Sequence, residues 1–174
     1  MHPYSESDDV RWRPTAELWR RLDVVGDPSP CGRAAMEWAA DLAARAGVRL
    51  HLVTWHRPRW HAFSLPPPVV ARLVSDHELR TLVAAEEVMR ARGVEWRFSS
   101  VGSRSLRDVV PPTGGLLVVP RHRPTCTDRV SALRTLPHPR RAASALPRHV
   151  VVTVGPAPDR HRTRVVSGRL LPLR

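Results

Sequence analysis

Residues 22–55 read LDVVGDPSPCGRAAMEWAADLAARAGVRLHLVTW, and this stretch indicates the fold more clearly than any other part of the chain. The short apolar run at 22–26 predicts a buried strand that ends at Asp27. Ser29 is a typical helix cap, and Pro30 suits the first helical position because no backbone donor is needed there. Apolar side chains at helical spacing then predict a helix over 30–46, on Ala35, Trp38, Ala39, Leu42 and Ala46.

A second strand follows this helix. Gly47 suits a left-handed helix end, and 48–55 is an apolar run of strand length. The stretch is therefore a strand–helix–strand unit. Ligands of open α/β sheets bind at the carboxyl ends of the strands, which is where Asp27 lies.

The rest of the chain continues the alternation. Strands are predicted near 94–101, 116–119 and 149–154, a long helix over 69–92, and a short helix from a Ser103 cap through Val110. Helical pieces are predicted near 127–136 and 139–146. The order predicts an α/β fold with a five-stranded parallel open sheet and helices on both faces, a Rossmann-like arrangement. We divide the chain into an N-terminal arm (1–21), the α/β domain (22–155) and a basic tail (156–174). The tail is either disordered or adds an edge strand through 165–166.

Charge is concentrated in the last third of the chain. All 28 basic residues are arginine and the net charge is +12. Residues 1–119 hold 16 Arg and 14 acidic residues, whereas 120–174 hold 12 Arg and 2 acidic residues. Arginine forks suit phosphate, so a nucleic acid or a nucleotide is one reading of this segment, and a solvated surface is the other.

The sequence favours a cytoplasmic protein of one domain. No apolar run reaches 18 residues, so no membrane span is expected. The first ten residues, MHPYSESDDV, are polar and acidic, unlike a secretory signal. Two cysteines, Cys31 and Cys126, make no disulfide framework.

Reactive side chains do not form a familiar catalytic set. The spacing of His51, His56 and His61 matches no common zinc pattern, so no metal is expected. Ser29 lacks the glycine-flanked elbow of hydrolases. The acidic residues form no obvious acid–base pair, and we expect a protein that is not an enzyme, with slow ATP hydrolysis left open. In the loop at 55–63, tryptophans alternate with arginines, which suits either base stacking or folding back over the core.

The first strand–helix–strand unit resembles the universal stress protein family. Gly26-Asp27-Pro28-Ser29 stands where that family has Val-Asp-Gly-Ser, and residues 34–39 (AAMEWA) match its small-small-x-x-Trp-Ala pattern. Gly47 to Val53 resembles its second strand, and 93–96, 116–119 and 150–154 follow its later strands in order. The resemblance covers about 22–155. It implies a five-stranded parallel domain, often a homodimer through the last strand, that in many members binds ATP.

The same resemblance places a candidate nucleotide cleft at Asp27, Ser29, Val53, Arg121 and Arg123. The family's phosphate loop, Gly-x2-Gly-x9-Gly-Ser/Thr, is missing, because Pro120 holds the place of the first glycine and no glycine occurs from 121 to 154. Arg121, Arg123 and Arg129 are the charges that could replace it.

Three functions follow from these observations. The first is a non-catalytic universal stress protein-like binding or regulatory module in the stress response, without tight ATP binding or another cofactor. The second is an adenine-nucleotide-binding stress protein that uses Asp27 and an arginine loop. The third is a nucleic-acid-binding module that uses the basic last third.

Overall fold

Strands and helices alternate along the chain, as the sequence predicts. The computed structural model describes residues 21–58, 64–102, 105–110, 114–121, 133–134, 142, 144–146, 148–155 and 162–167. The elements are β1 Leu22–Gly26, α1 Pro30–Ala46, β2 Leu50–Thr54, β3 Arg57–Pro58, α2 Pro67–Arg92, β4 Trp96–Ser100, a 3₁₀ turn Leu106–Asp108, β5 Gly115–Pro120, β6 Leu133–Arg134, β7 His149–Gly155 and β8 Arg162–Ser167.

The main sheet has the strand order β4-β2-β1-β5-β7-β8. Its first five strands are parallel to one another, which confirms the predicted α/β class and five-stranded parallel sheet. The sixth strand, β8, pairs antiparallel with β7. An edge strand through 165–166 is therefore confirmed, and the sheet continues past residue 155 into the segment that the sequence assigns to the tail. A separate two-stranded ladder joins β3 to β6.

The first strand–helix–strand unit forms as its sequence predicts. The Oγ atom of Ser29 accepts a hydrogen bond from the Gly32 amide at 3.2 Å, which caps α1. At the other end of α1, Gly47 has φ of 63°, in the left-handed region that glycine occupies without strain. These two caps set the length of the helix and therefore where Asp27 and β2 lie.

The two faces of the sheet bury different side chains. Helices α1 and α2 cover one face, here called the helical face, over strand residues such as Val24, Leu52 and Val118. The other face, here called the second face, carries Val25, Val53, Leu117 and their neighbours. They pack against the 3₁₀ turn and the segment at 142–146. Because side chains alternate along a strand, odd-numbered residues of β1 and β2 all point to the second face.

Two local predictions are wrong. The short turn before β5 is capped by Ser105 rather than Ser103: its hydroxyl accepts from the Arg107 amide, and Asp108 accepts from the Ser105 amide. Residues 133–134 form strand β6 rather than part of a helix over 127–136, because they pair with β3. Residues 1–20 of the predicted arm, Ser103 and most of 122–141 lie outside the described residues.

Candidate functional site

Polar side chains gather where β1 and β2 end. Asp27 follows β1, Thr54 ends β2, and His56 lies two residues further on. Helix α2 places Glu78 beside His56, with Glu78 Oε1 3.8 Å from His56 Nδ1. It places His77 close enough to Asp27 and Glu78 for their charges to affect its pKa. We call these five residues the carboxyl-edge cluster.

The start of α1 holds Asp27 in place. Asp27 is 5% exposed, and its Oδ1 accepts a hydrogen bond from the Ser29 amide at 2.8 Å. A Cβ atom on Gly32 would lie 1.9 Å from the Asp27 carbonyl oxygen, so only glycine permits this approach. The carboxylate is therefore positioned by the backbone of the helix that follows it.

Three buried polar atoms of the cluster lack hydrogen-bond partners among the described residues. They are Thr54 Oγ1, His56 Nδ1 and His77 Nε2. Thr54 is 0% exposed and His56 is 6% exposed, so bulk water does not satisfy their buried atoms. Buried polar groups in native proteins nearly always have a partner, and three unpartnered atoms at one edge therefore indicate a place for a polar ligand or ordered water.

Both histidines of the cluster are neutral at physiological pH. Burial lowers the pKa of His56 below its usual value of 6.5, and the Glu78 carboxylate opposes this only in part. Burial likewise lowers the pKa of His77, against the opposing charges of Asp27 and Glu78. A neutral imidazole carries one donor and one acceptor nitrogen, so the cluster offers both kinds of hydrogen bond. Asp27 and Glu78 contribute negative charge to the cluster, and Arg80 acts on His77 with the opposite sign.

The end of β5 offers little to a phosphate group. Pro120 has no amide hydrogen, and the Arg121 amide donates to the Val154 carbonyl oxygen at 2.6 Å. Two successive residues therefore offer no free backbone amide at the place where the resemblance puts the glycine loop. The Arg121 side chain is exposed and packs against Gly155, so it is the one predicted arginine whose placement is described.

The predicted site residues do not all lie together. Asp27 and Ser29 are adjacent, but the Ser29 hydroxyl is engaged as the cap of α1. Val53 is 0% exposed in the core of the second face, so a ligand could contact only its backbone. Arg123 lies outside the described residues. Of the loop at 55–63, Trp55 packs on the core of the second face, whereas Trp60 and Phe63 lie outside the described residues.

A second group of polar side chains lies on the second face of the sheet, and no prediction from the sequence included it. His51 Nδ1 lies 2.7 Å from Asp23 Oδ1, and His51 Nε2 lies 2.9 Å from Ser99 Oγ. These residues come from β1, β2 and β4, three neighbouring strands. We call Asp23, His51 and Ser99 the polar row.

The carboxylate in the polar row is ionised. Burial raises the pKa of Asp23, but hydrogen bonds from His51 and Arg21 outweigh this and bring it below the usual value. The Arg21 Nε atom donates to Asp23 Oδ2 at 2.9 Å. The same Asp23 Oδ2 atom lies 4.0 Å from His149 Nε2. Both ring nitrogens of His149 are buried without a hydrogen-bond partner among the described residues.

A signal for this row does exist in the sequence. Each of the apolar strands LDVVG and LHLVT has one ionisable residue at its second position. In parallel strands that pair in register, such residues face the same side and lie opposite one another, as Asp23 and His51 do. Recognising the pair required the strand order, which places β2 next to β1 and β4 next to β2.

The described residues contain neither an arrangement of metal ligands nor a membrane-spanning helix. No group of three or more His, Cys, Asp or Glu side chains in those ranges is arranged to hold a metal ion. No helix there combines the length and the apolar character that crossing a membrane requires.

Comparison with known proteins yields a structural similarity. Neither the protein-family models nor the curated proteins include a match to the chain. Among solved structures, the chain is similar to the crystal structure of a protein from the universal stress protein family from Burkholderia pseudomallei, with 20% sequence identity and a TM-score of 0.45. The similarity covers 60% of this chain and 83% of that chain. The α/β fold class stated above rests on this chain's own strand order and pairing.

Proposed function

We propose that the chain is a universal stress protein-like binding or regulatory module in the stress response. In this proposal the carboxyl-edge cluster holds a neutral, nucleoside-sized ligand, does not transform it, and does not bind ATP tightly. The observation that carries the proposal is the set of three buried atoms on Thr54, His56 and His77 that have no hydrogen-bond partner among the described residues. A ligand that supplies their partners would recover the free energy lost by leaving them unpaired, about 1–3 kcal/mol for each group.

The electrostatics of the cluster favour a neutral ligand. Burial keeps His56 and His77 uncharged, since it lowers the pKa of each. Asp27 and Glu78 add negative charge beside them. A ligand with several hydroxyl or ring nitrogen atoms and no net charge therefore fits better than a polyanion.

The backbone at the end of β5 argues against tight binding of phosphate groups. Nucleotide sites at strand ends depend on free backbone amides that point at the phosphates. Pro120 has none to offer and the Arg121 amide is engaged by Val154. A nucleoside triphosphate should therefore bind no more tightly than the nucleoside.

Binding of an adenine nucleotide by Asp27 and an arginine loop is the alternative. The exposed Arg121 side chain at the start of that loop favours it, because a guanidinium can bind a phosphate through forked hydrogen bonds. Arg121 would then supply the affinity for the phosphates that the backbone lacks.

Calorimetric titration with adenosine and with ATP separates the two functions. We expect the dissociation constant of ATP to be equal to or larger than that of adenosine. Arg121→Ala should leave both unchanged, and His56→Phe, which keeps the ring without its nitrogens, should weaken both. ATP binding about a hundredfold tighter than adenosine, and lost in Arg121→Ala, would establish the alternative instead.

We also propose that the chain forms a homodimer. The resemblance implies pairing through the last parallel strand, but β8 already pairs with β7 along its whole length. A sheet that continues across a dimer axis would therefore join the outer edges of two β8 strands. Light scattering during size-exclusion chromatography tests this, and a monomer at all concentrations would refute it.

A further inference from the structure

The polar row has the geometry of an activated nucleophile. The Asp23 carboxylate contacts one ring nitrogen of His51 at 2.7 Å, and the other ring nitrogen contacts the Ser99 hydroxyl at 2.9 Å. This is the order of carboxylate, imidazole and hydroxyl that activates a serine in unrelated folds, where the arrangement is recognised by geometry rather than by sequence position.

The hydrogen bonds assign the proton on the imidazole. Because Arg21 and His51 keep the Asp23 carboxylate ionised, that carboxylate only accepts, and the His51 Nδ1 atom must donate. The Nε2 atom of a neutral His51 then has a free lone pair directed at Ser99. The Ser99 hydroxyl donates to it, which is the arrangement that general-base catalysis requires.

The row is buried at Asp23 and His51 and partly exposed at Ser99. Asp23 is 0% exposed and His51 is 4% exposed, both within strands at the centre of the sheet. Ser99 is only half-buried and lies on β4, the edge strand. A substrate can therefore approach the hydroxyl while the base and its carboxylate stay away from bulk water.

We infer that Asp23, His51 and Ser99 form a triad in which Ser99 is a nucleophile toward carboxylic esters that carry a negative charge. The Ser99 Oγ atom bonds to the ester carbonyl carbon as its proton passes to His51 Nε2. The carbon–oxygen bond to the alcohol then breaks, and the leaving oxygen takes that proton. Water repeats the sequence on the acyl-serine and releases the acid.

The positive charge of Arg97 indicates which class of ester the site would accept. Arg97 lies two residues before Ser99 on β4, so both side chains leave the strand on the second face. Arg97 is exposed, and its guanidinium can bind a carboxylate on the substrate. The acyl group is therefore proposed to carry the negative charge.

This site is separate from the carboxyl-edge cluster. Asp23, His51 and Ser99 all point to the second face, whereas Thr54 and the helix residues His77 and Glu78 lie on the helical face. The inference does not rest on the ligand proposed for that cluster, and either can fail without the other.

Labelling with a fluorophosphonate tests the nucleophile directly. The Ser99 Oγ atom would bond to phosphorus as fluoride leaves, and peptide mapping should place the added mass on Ser99. Ser99→Ala should not be labelled, and His51→Gln should be labelled at least about a hundredfold more slowly. Ser100→Ala is the matched control, because Ser100 is the next residue of β4 and points to the opposite face.

The variants at Asp23 and Arg97 complete the test. Asp23→Asn should slow the labelling of Ser99, because an amide does not fix His51 Nδ1 as the donor. Hydrolysis of p-nitrophenyl hemisuccinate should exceed that of p-nitrophenyl acetate, and Arg97→Gln should remove the difference. No labelling, labelling at another residue, or equal labelling of Ser99→Ala would overturn the inference. If His51→Gln or Asp23→Asn fails to fold by circular dichroism, the mapped residue and Ser99→Ala decide the matter.

Discussion

His51 Nδ1 lies 2.7 Å from Asp23 Oδ1 although the two residues are 28 positions apart in the chain. They meet because β1 and β2 pair in parallel with Asp23 directly opposite His51. The same pairing carries Asp27 and Thr54 to the other end of these strands. One strand–helix–strand unit therefore supplies residues to both polar groups of the molecule, on opposite faces of one sheet.

Gly32→Ala should strongly destabilise the fold. The new Cβ atom would lie 1.9 Å from the Asp27 carbonyl oxygen, a backbone atom that cannot move without shifting β1 or α1. We expect a loss of about 3 kcal/mol in the free energy of unfolding, measured with urea. Gly47→Ala is the control: nothing lies near its Cβ position, and only its φ of 63° costs about 1 kcal/mol. Equal losses for the two variants would refute the close approach.

His149→Leu should stabilise the protein at neutral pH. The His149 side chain is 0% exposed, and neither ring nitrogen has a hydrogen-bond partner among the described residues. Replacing it with an apolar side chain removes two unpaired polar atoms, and we expect a gain of about 1 kcal/mol in urea denaturation at pH 7. A loss of stability in His149→Leu would show that the imidazole has a partner.

Acidification should destabilise the wild-type chain in two steps. Burial lowers the pKa of His56, His77 and His149 below 6.5, so the unfolded chain takes up protons first as the pH falls through that value. The stability contributed by these histidines is present above pH 6.5 and is lost below it. The lowered pKa of Asp23 adds a second loss below its usual value of 3.8. Urea midpoints measured across this range should fall in both windows, and His149→Leu should show a smaller first step. A stability that rises on acidification below pH 6.5 would contradict the burial of the histidines.

Truncation after Gly155 should weaken the sheet. It removes β8, which pairs with β7 from Val151 to Gly155, and leaves the β7 edge with unpaired backbone groups. We expect a lower unfolding midpoint and self-association in size-exclusion chromatography. A truncated chain as stable and as soluble as the full chain would show that β8 does not contribute.

Nucleic-acid binding, the third function considered, should be weak and steeply salt-dependent. Residues 156–174 contain five arginines and one aspartate, so the truncated chain loses a net charge of +4. Fluorescence anisotropy with duplex DNA should show affinity that falls as salt rises, and a shallower slope after truncation, because fewer counterions are released. An affinity that hardly changes with salt, or that truncation leaves unchanged, would argue against the third function.

Local signals made the first unit predictable. The Ser29 cap, the prolines before α1 and the left-handed Gly47 act within a few residues, so 22–26 and 30–46 agree with β1 and α1 at both ends. Residues 133–134 were mispredicted because they pair with β3, about 76 positions away, and tertiary pairing overrides local helix propensity.

The candidate sites were predictable only in part. Asp27 follows from the rule that ligands bind at strand ends. His77 and Glu78 reach that edge from the middle of a 26-residue helix, and their contribution depends on how α2 packs, which the helical period does not specify. The polar row depends on strand order in the same way, since Ser99 is 48 positions from His51.

The most direct test of the carboxyl-edge cluster as a ligand site is the histidine ring nitrogen spectrum of the ¹⁵N-labelled chain during titration with adenosine. We expect the resonances of His56 and His77 to shift together with ligand concentration, because His56 Nδ1 and His77 Nε2 gain partners, while those of His51 and His149 stay in place. Adenosine binding detected by calorimetry without any change at His56 and His77 would contradict the account.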